Sequence, residues 1–343
     1  MAIQVQSGCL ETHKRALIAL FREHLSPDYD ADRFDWLYHK NPAGPAHVWI
    51  AYDGDSRTIV GAAAAFPRKF YFRGSEELGW VLGDFCLAER YRSVGPALQL
   101  QRACLGALAA PVDFCYDFPS KSMMAIYKRL GIQQAGELVR WAKALRIEEK
   151  LESLVKSKRI AKVLGMMSTG IIASLDWKGG KATSLVAPLE GRCREEFTSF
   201  DRSSRSRSSL RTQRTAEYLN WRYLDSPSKA CEIWVARKGL EMMGYVVLQN
   251  DPDNSRIVDL DAVEEPAVIA GLIAAAVRRT RDLGAKTVSL AAGEDHPWRA
   301  IFKRSGFRCR ESAPIVFVER AGTGLEPTKL YANSYIMEGE RDN

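Results

Sequence analysis

The sequence lacks any apolar run of the roughly 18 residues that a membrane-spanning helix requires. Its start, MAIQVQSGCLETHKRAL, lacks the apolar core of a secretory leader. The seven cysteines are odd in number and form no C-x-x-C pair. That argues against a disulfide framework or a cysteine zinc site and suits reduced thiols. His13, His24, His39, His47 and His296 show no metal-ligand spacing. These absences lead us to expect a cytoplasmic protein with no metal and no stable membrane insertion.

What is present is a chain of 343 residues, long enough for two domains, with 46% hydrophobic residues to build their cores. A formal charge of +7 favours anionic partners, phosphorylated cofactors among them. The stretch DRSSRSRSSLRTQR (201–214) holds five arginines among serines. It reads as a solvated loop or as a site for an anion. No aromatic residues are interleaved in it, so nucleic acid is not expected as a partner.

The chain repeats itself. WLYHKNP (36–42) and WRYLDSP (221–227) share W-x-Y-x-x-x-P, and a further tryptophan follows each motif at the same distance, Trp49 and Trp234. Downstream, IYKRLGI (126–132) and IFKRSGF (301–307) echo each other at a slightly shorter offset, as a change in loop length allows. Around these landmarks the same order of elements recurs. A helix with Leu17, Leu20, Phe21 and Leu25 on one face precedes the first tryptophan motif. Two apolar strands follow, HVWIAYD and TIVGAAAAF in the first half, CEIWVARK and MMGYVVLQ in the second. Strand, helix, strand and helix then alternate in both halves. This pattern predicts an α/β protein with a mixed sheet made twice. The halves are expected at residues 1–146 and 186–343, joined by a segment at 147–185. That connector has an apolar centre between lysines and reads as a packed helix or as a membrane-surface segment.

One turn carries the chemistry. WVLGDFCL (80–87) is a buried-strand pattern, and AERYRSVGPALQL follows it. Pro96 suits the first position of a helix, and Gly95 permits close backbone approach or a positive φ. The turn at Arg92, Ser93, Val94, Gly95, Pro96 and Ala97 therefore points free N–H groups and a forked cation outward, as a pyrophosphate cradle requires. At the same position of the second half stands EEPAVI, with Glu264 and Glu265 and no glycine. Two carboxylates there oppose an anion.

The spacing R-x-x-G-x-A at Arg92, Gly95 and Ala97 resembles the acyl-CoA pyrophosphate signature of the GNAT N-acyltransferase superfamily. FCLAERY before it and FPSKSMMAIYKRLGI (118–132) after it fit the same resemblance, which extends over nearly the whole chain as two tandem GNAT-like domains. It implies an N-acyltransferase that moves an acyl group, most often acetyl, from acetyl-CoA to a small amine without a metal. The tandem layout and YLNWRY resemble bacterial GNAT proteins associated with polysaccharide synthesis. This suggests an amino sugar or sugar nucleotide as acceptor. The resemblance implies further that backbone N–H groups at Phe85, Cys86 and Leu87 polarise the thioester carbonyl, and that Tyr127 protonates the leaving thiolate. Ser120 takes the place of a polar residue that faces the cofactor. Tyr127 also reads as a packed aromatic. The second half, with Phe302 at the position of Tyr127, reads as a GNAT-like domain without the CoA motif.

The proton acceptor is less defined. Asp84 and Glu89 flank the end of the central strand, and Asp84 stands at a strand position where an acid is unusual without a reason. Water chains are an alternative. Cys86 reads as a buried thiol. Trp36, Tyr38, Trp221 and Tyr223, being repeated, read as anchors of each domain against its sheet. Two other functions fit the layout: an aminoacyl-tRNA-dependent Fem-type transferase, against which the intact turn at 92–97 argues, and a non-catalytic scaffold binding CoA or a partner.

Overall fold

The computed structural model describes residues 2–146, 185–227, 230–332 and 334–341. The connector expected at 147–185, with its two readings, lies almost wholly outside the described residues.

The first half runs β1 (Ile3–Ser7), α1 (Leu10–His24), α2 (Ala31–Phe34), a π-helical turn (Asp35–His39), β2 (His47–Asp53), β3 (Ile59–Phe72), β4 (Ser75–Leu87), α3 (Val94–Gly106), β5 (Val112–Asp117), α4 (Lys121–Arg129) and β6 (Gly136–Ala144). The second half runs β7 (Leu185–Pro188), α5 (Glu195–Ser203), β8 (Leu210–Thr212), α6 (Ala216–Leu219), a second π-helical turn (Asn220–Leu224), β9 (Cys231–Lys238), β10 (Glu241–Gln249), β11 (Asn254–Ala262), α7 (Pro266–Asp282), β12 (Thr287–Gly293), α8 (Arg299–Arg304), β13 (Arg308–Glu319), α9 (Pro327–Tyr331) and β14 (Ser334–Tyr335). Many elements recur in the same order in both halves, while β8, α9 and β14 have no counterpart in the first half. Asp30 and Thr215, at equivalent positions ahead of the two tryptophan motifs, both cap a short helix by accepting a backbone N–H three residues on, and each helix passes into a π turn.

The strands form one sheet in the order β1-β2-β3-β4-β5-β13-β6-β12-β11-β10-β9-β7. Two pairs on this path are parallel, β4 with β5 and β11 with β12, each joined by a helical crossover. The order holds a feature absent from the sequence reading. β13 from the end of the chain pairs with β5, while β6 from the first half pairs with β12. Each half thus completes its sheet with a strand of the other, and β6 and β13 also pair with each other at the centre.

The tryptophan motifs form a second joint. Each of Trp36 and Trp221 donates its indole N–H to the other's backbone carbonyl, at 2.7 and 2.9 Å, and the rings stack at 5.3 Å. The two tryptophans therefore anchor the halves to one another, rather than each to its own sheet. Such a ring pair contributes about 1 kcal/mol beyond the area it buries. Leu17, Leu20 and Phe21 face the core as expected, but Leu25 is exposed, because α1 ends at His24 and the chain turns before Leu25 can follow the helical face.

The arginine-rich stretch divides. Arg211 and Arg214 are buried in ion pairs with Asp201, Asp261, Asp259 and Glu340. Arg202 and Arg205 remain exposed, and Arg207 is half-buried against Asp261. Much of the charge that suggested an anion site is consumed internally. No helix among the described residues is long and apolar enough to cross a membrane.

Candidate active site

The central strand of the first half opens at one end. β4 pairs with β5 from Leu78↔Val112 to Val81↔Tyr116, while its pairing with β3 continues to Leu87. From Leu82 onward the parallel neighbours part. The β3–β4 register slips between Ala62 and Ala64, opposite Cys86 and Gly83, which makes a bulge at Asp84 and Phe85. Asp84 takes φ = 45°, a left-handed conformation that costs a non-glycine residue on the order of 1 kcal/mol. Gly61 lies beside the end of the strand. A Cβ there would come within 2.9 Å of the Cys86 carbonyl, so close strand approach requires glycine.

The bulge aims the Asp84 carboxylate at the face covered by α1 and α2. Tyr29 and Tyr38 both donate their hydroxyls to Oδ2 of Asp84, at 2.7 and 2.9 Å. Burial, followed by the charge of Asp84, pushes both phenols well above their usual range, so they remain donors. Cys86 is buried and its thiol is pushed up to about 12 by that burial, in keeping with a structural thiol. Phe85 and Leu87 pack toward the other face, against the α3 layer.

After Leu87 the chain makes a 3-10 turn and enters α3. The helix begins at Val94, two residues earlier than expected, so Pro96 is its third residue rather than its first. Its missing N–H still costs nothing, because no N–H in the first turn has an intrahelical acceptor. Ser93 is the N-cap, and its side chain does not bond the helix. Arg92, Ser93, Val94 and Gly95 are exposed, and the first turn holds no acid. A Cβ at Gly95 would meet nothing within 4 Å, and its φ is not positive, so internal packing gives no reason for a glycine there. Arg92 is held along the strand end by donating Nε to the Leu87 carbonyl at 2.9 Å, with Nη2 3.5 Å from Nδ1 of His24. Ala97 makes the first helical hydrogen bond, to Ser93. Together these residues present an uncapped helix N-terminus and a guanidinium beside the parted strands. Glu89 is exposed on the preceding turn.

Tyr127 is fully buried on α4. Its hydroxyl donates to Oδ2 of Asp117 at 2.7 Å and accepts from Nε2 of Gln101 at 3.1 Å. Burial and the Asp117 charge push the phenol well above its usual value. Burial likewise raises the Asp117 carboxyl to about 6. Ser120 is exposed and caps α4, its Oγ accepting from the Met123 N–H at 3.2 Å.

The sequence reading missed Tyr29, Gln101 and Asp117. Gln101 and Asp117 could have been found as polar residues on otherwise apolar faces, in PALQLQRACL and VDFCYDF. Tyr29 lies in a loop without a motif, and no local signal marks it.

The second half has the same frame with different contents. β11 pairs with β12 no further than Ile257↔Leu290, and its register with β10 slips beside Asp259. Glu264 and Glu265 stand exposed at the start of α7, as expected. The opening is filled by the chain itself. Met337 bridges Ala292, the Gly293 N–H donates to Ile336 at 3.1 Å, and Tyr335 donates to the Leu260 carbonyl. Glu340 accepts from Arg214 and Thr212, each at 2.8 Å.

Comparison with known proteins gives the fold. The chain superimposes on a GCN5-related N-acetyltransferase from Anabaena variabilis with a TM-score of 0.66 and 12% identity, over 92% of this chain and 72% of that one. A probable N-acyltransferase from Enterococcus faecalis gives 0.65 and 11%, with the same coverage. Saccharomyces cerevisiae N-myristoyltransferase, solved with bound myristoyl-CoA, gives 0.58 and 12%, over 93% of this chain and 83% of that one. No family model and no curated protein matches the sequence. The mixed α/β architecture is thus that of N-acyltransferases, as expected.

Proposed function

We propose that the protein is an acyl-CoA-dependent N-acyltransferase whose first half binds the donor. The observation that carries this reading is the parting of β4 from β5 beside an uncapped, exposed and basic helix N-terminus, in a fold shared with N-acetyltransferases. A helix start with outward N–H groups and an arginine favours a pyrophosphate. Residues Arg92 to Ala97 would hold it, and the opening between the strands would take the pantetheine arm. Acetyl-CoA is the proposed donor. A small amine such as an amino sugar or sugar nucleotide is the proposed acceptor, and the cytoplasm the proposed location.

The thioester is already activated, so attack by a neutral amine requires no metal. N–H groups near Phe85, Cys86 and Leu87 would stabilise the oxyanion as it forms. Asp84 would accept the proton of the attacking amine. Tyr127 is the proposed donor to the leaving thiolate. Its hydroxyl now donates to Asp117 and accepts from Gln101, so this role requires the phenol to turn away from Asp117 toward the thiolate. That engagement favours, as a second reading, a scaffold that binds acyl-CoA without turnover.

Two measurements test the proposal. Calorimetric titration with acetyl-CoA should show one equivalent bound per chain. Thiol release from acetyl-CoA across an amine panel should then exceed that without amine. Binding without amine-dependent release would support the scaffold. Tyr127→Phe should slow turnover by about tenfold to a thousandfold with acetyl-CoA affinity retained. Unchanged turnover, with chemistry rate-limiting, would reduce Tyr127 to packing.

A further inference from the structure

The tail that fills the second opening does not stop there. Gly339 is pressed against the Tyr223 hydroxyl, where a Cβ would come within 2.1 Å, and Glu340 turns inward to Arg214 and Thr212. Arg222 donates Nε to the Gly339 carbonyl at 2.8 Å and Nη2 to the Arg341 carbonyl. One guanidinium thus holds the backbone on both sides of Glu340 and sets where the Arg341 side chain can reach. It reaches the first half. Its guanidinium lies over the Phe118 ring at 5.8 Å, and it is near enough to Asp117 to oppose the rise that burial imposes on that carboxyl.

Phe118 directly follows β5, at the end where β5 has parted from β4. Side chains alternate across a strand, and Phe114, Tyr116 and Phe118 all pack on the face that carries Phe34 and Tyr38. Asp84 engages the same face from β4, through Tyr29 and Tyr38. On that face the opening is therefore bordered by an acid on the β4 side and by Arg341 on the β5 side. Arg341 differs from Arg211 and Arg214, which are buried against carboxylates. It is half-buried, its Nε is shut off from solvent without a hydrogen-bond partner, and no carboxylate among the described residues forms an ion pair with it. An aromatic face makes up little of what a guanidinium loses on leaving water, so the position calls for an anion.

We propose that the acceptor amine carries a carboxylate or phosphate, and that Arg341, delivered by the tail of the second half, binds this anion at the opening of the first. The proposal rests on the reading of that opening as the site of acyl transfer. It narrows the acceptor to amines with a negative group, such as amino acids, amino sugar phosphates and amino sugar nucleotides, and sets free amino sugars aside. A guanidinium suits either anion, because its forked donors match carboxylate and phosphate oxygens alike. It also gives the second half a part in the site without a donor cradle of its own: its tail closes one opening and furnishes the other with a cation.

The test reads binding without turnover. Full-length protein is saturated with CoA, which holds no acyl group to transfer, and is titrated by calorimetry with two matched pairs: glucosamine 6-phosphate against glucosamine, and alanine against alaninamide. The parent should bind the anionic member of a pair about tenfold more tightly, and Arg341→Gln should remove that preference. Which pair shows it tells phosphate from carboxylate. Arg341→Lys should keep part of the preference, since lysine offers a point charge in place of a fork. The tail is held by its carbonyls rather than by the Arg341 side chain, so both variants keep its path. Arg310→Gln, a change at an exposed position of β13, should keep the full preference and so separates local pairing from net charge. A parent without preference in either pair, or an Arg341→Gln that retains it, overturns the proposal. A loss in Arg341→Gln confined to CoA affinity overturns it too, and assigns the cation to the donor's phosphates. Amine-dependent thiol release from acetyl-CoA tests the reading beneath. Its absence in the parent, with the preference in binding intact, overturns the enzyme and leaves the anion site standing.

Discussion

At the scale of single residues, the buried ionisable groups give the first prediction. Asp117 has its carboxyl raised to about 6 by burial, so the native state holds its proton more tightly than the unfolded chain does. Between the ordinary aspartate range and about pH 6 the native state binds more protons, and stability falls as pH rises through that window. His296 acts with the opposite sign. It is fully buried, and its pKa is lowered to about 3 by that burial and by nearby arginines. The unfolded chain binds its proton below about 6.5, so stability falls as pH drops from there. Thermal melts from pH 4 to 7 should therefore separate the two. Asp117→Asn should flatten the loss of stability with rising pH, and His296→Phe the loss with falling pH. Parallel curves for parent and variants would contradict both assignments.

At the scale of elements, the two crossover helices differ at their first turns. α3 begins with exposed Val94 and Gly95 next to Arg92, and α7 begins after Glu264 and Glu265. Gly95→Glu should abolish acetyl-CoA binding in calorimetry, because it adds bulk and negative charge at the helix start. Replacing Glu264 and Glu265 by alanine should leave binding unchanged at one equivalent. Two equivalents, or retained affinity in Gly95→Glu, would locate the donor elsewhere. This part of the site was legible because its signals are local: an apolar strand, a small-residue turn and a helix pattern lie within about twenty residues. The duplication was legible for the same reason, since a motif repeats wherever its element repeats. The exchange of β6 and β13 was not, because strand pairing between residues 136–144 and 287–293 leaves no local mark in either segment. Nor was the register slip that turns Asp84 toward Tyr29 and Tyr38, or the filling of the second opening by residues 335–340. Each is decided by which distant segment packs there.

At the scale of the whole molecule, the exchanged strands and the tryptophan joint bind the halves into a single structural unit. Neither half can complete its sheet alone: β5 needs β13, and β12 needs β6. Unfolding in urea should accordingly be one transition, coincident by far-ultraviolet circular dichroism and by tryptophan fluorescence. Trp36→Ala should lower the midpoint by a loss of about 3–5 kcal/mol, as expected for a buried tryptophan, and should do so for both halves together. Two resolved transitions, or destabilisation confined to one half, would contradict this coupling.

The exchange also has a meaning in terms of descent. Two copies of a single half, each lending a strand to the other and meeting through paired tryptophans, would make a closed symmetric dimer with two equal openings. Joining the copies end to end would keep that arrangement while freeing each to change by itself. One opening could then fill with the chain's own tail, at no cost to the other. A recombination that brought in a new first half would import its final strand into a foreign sheet. The two halves therefore have to be inherited together, even as their sequences drift apart.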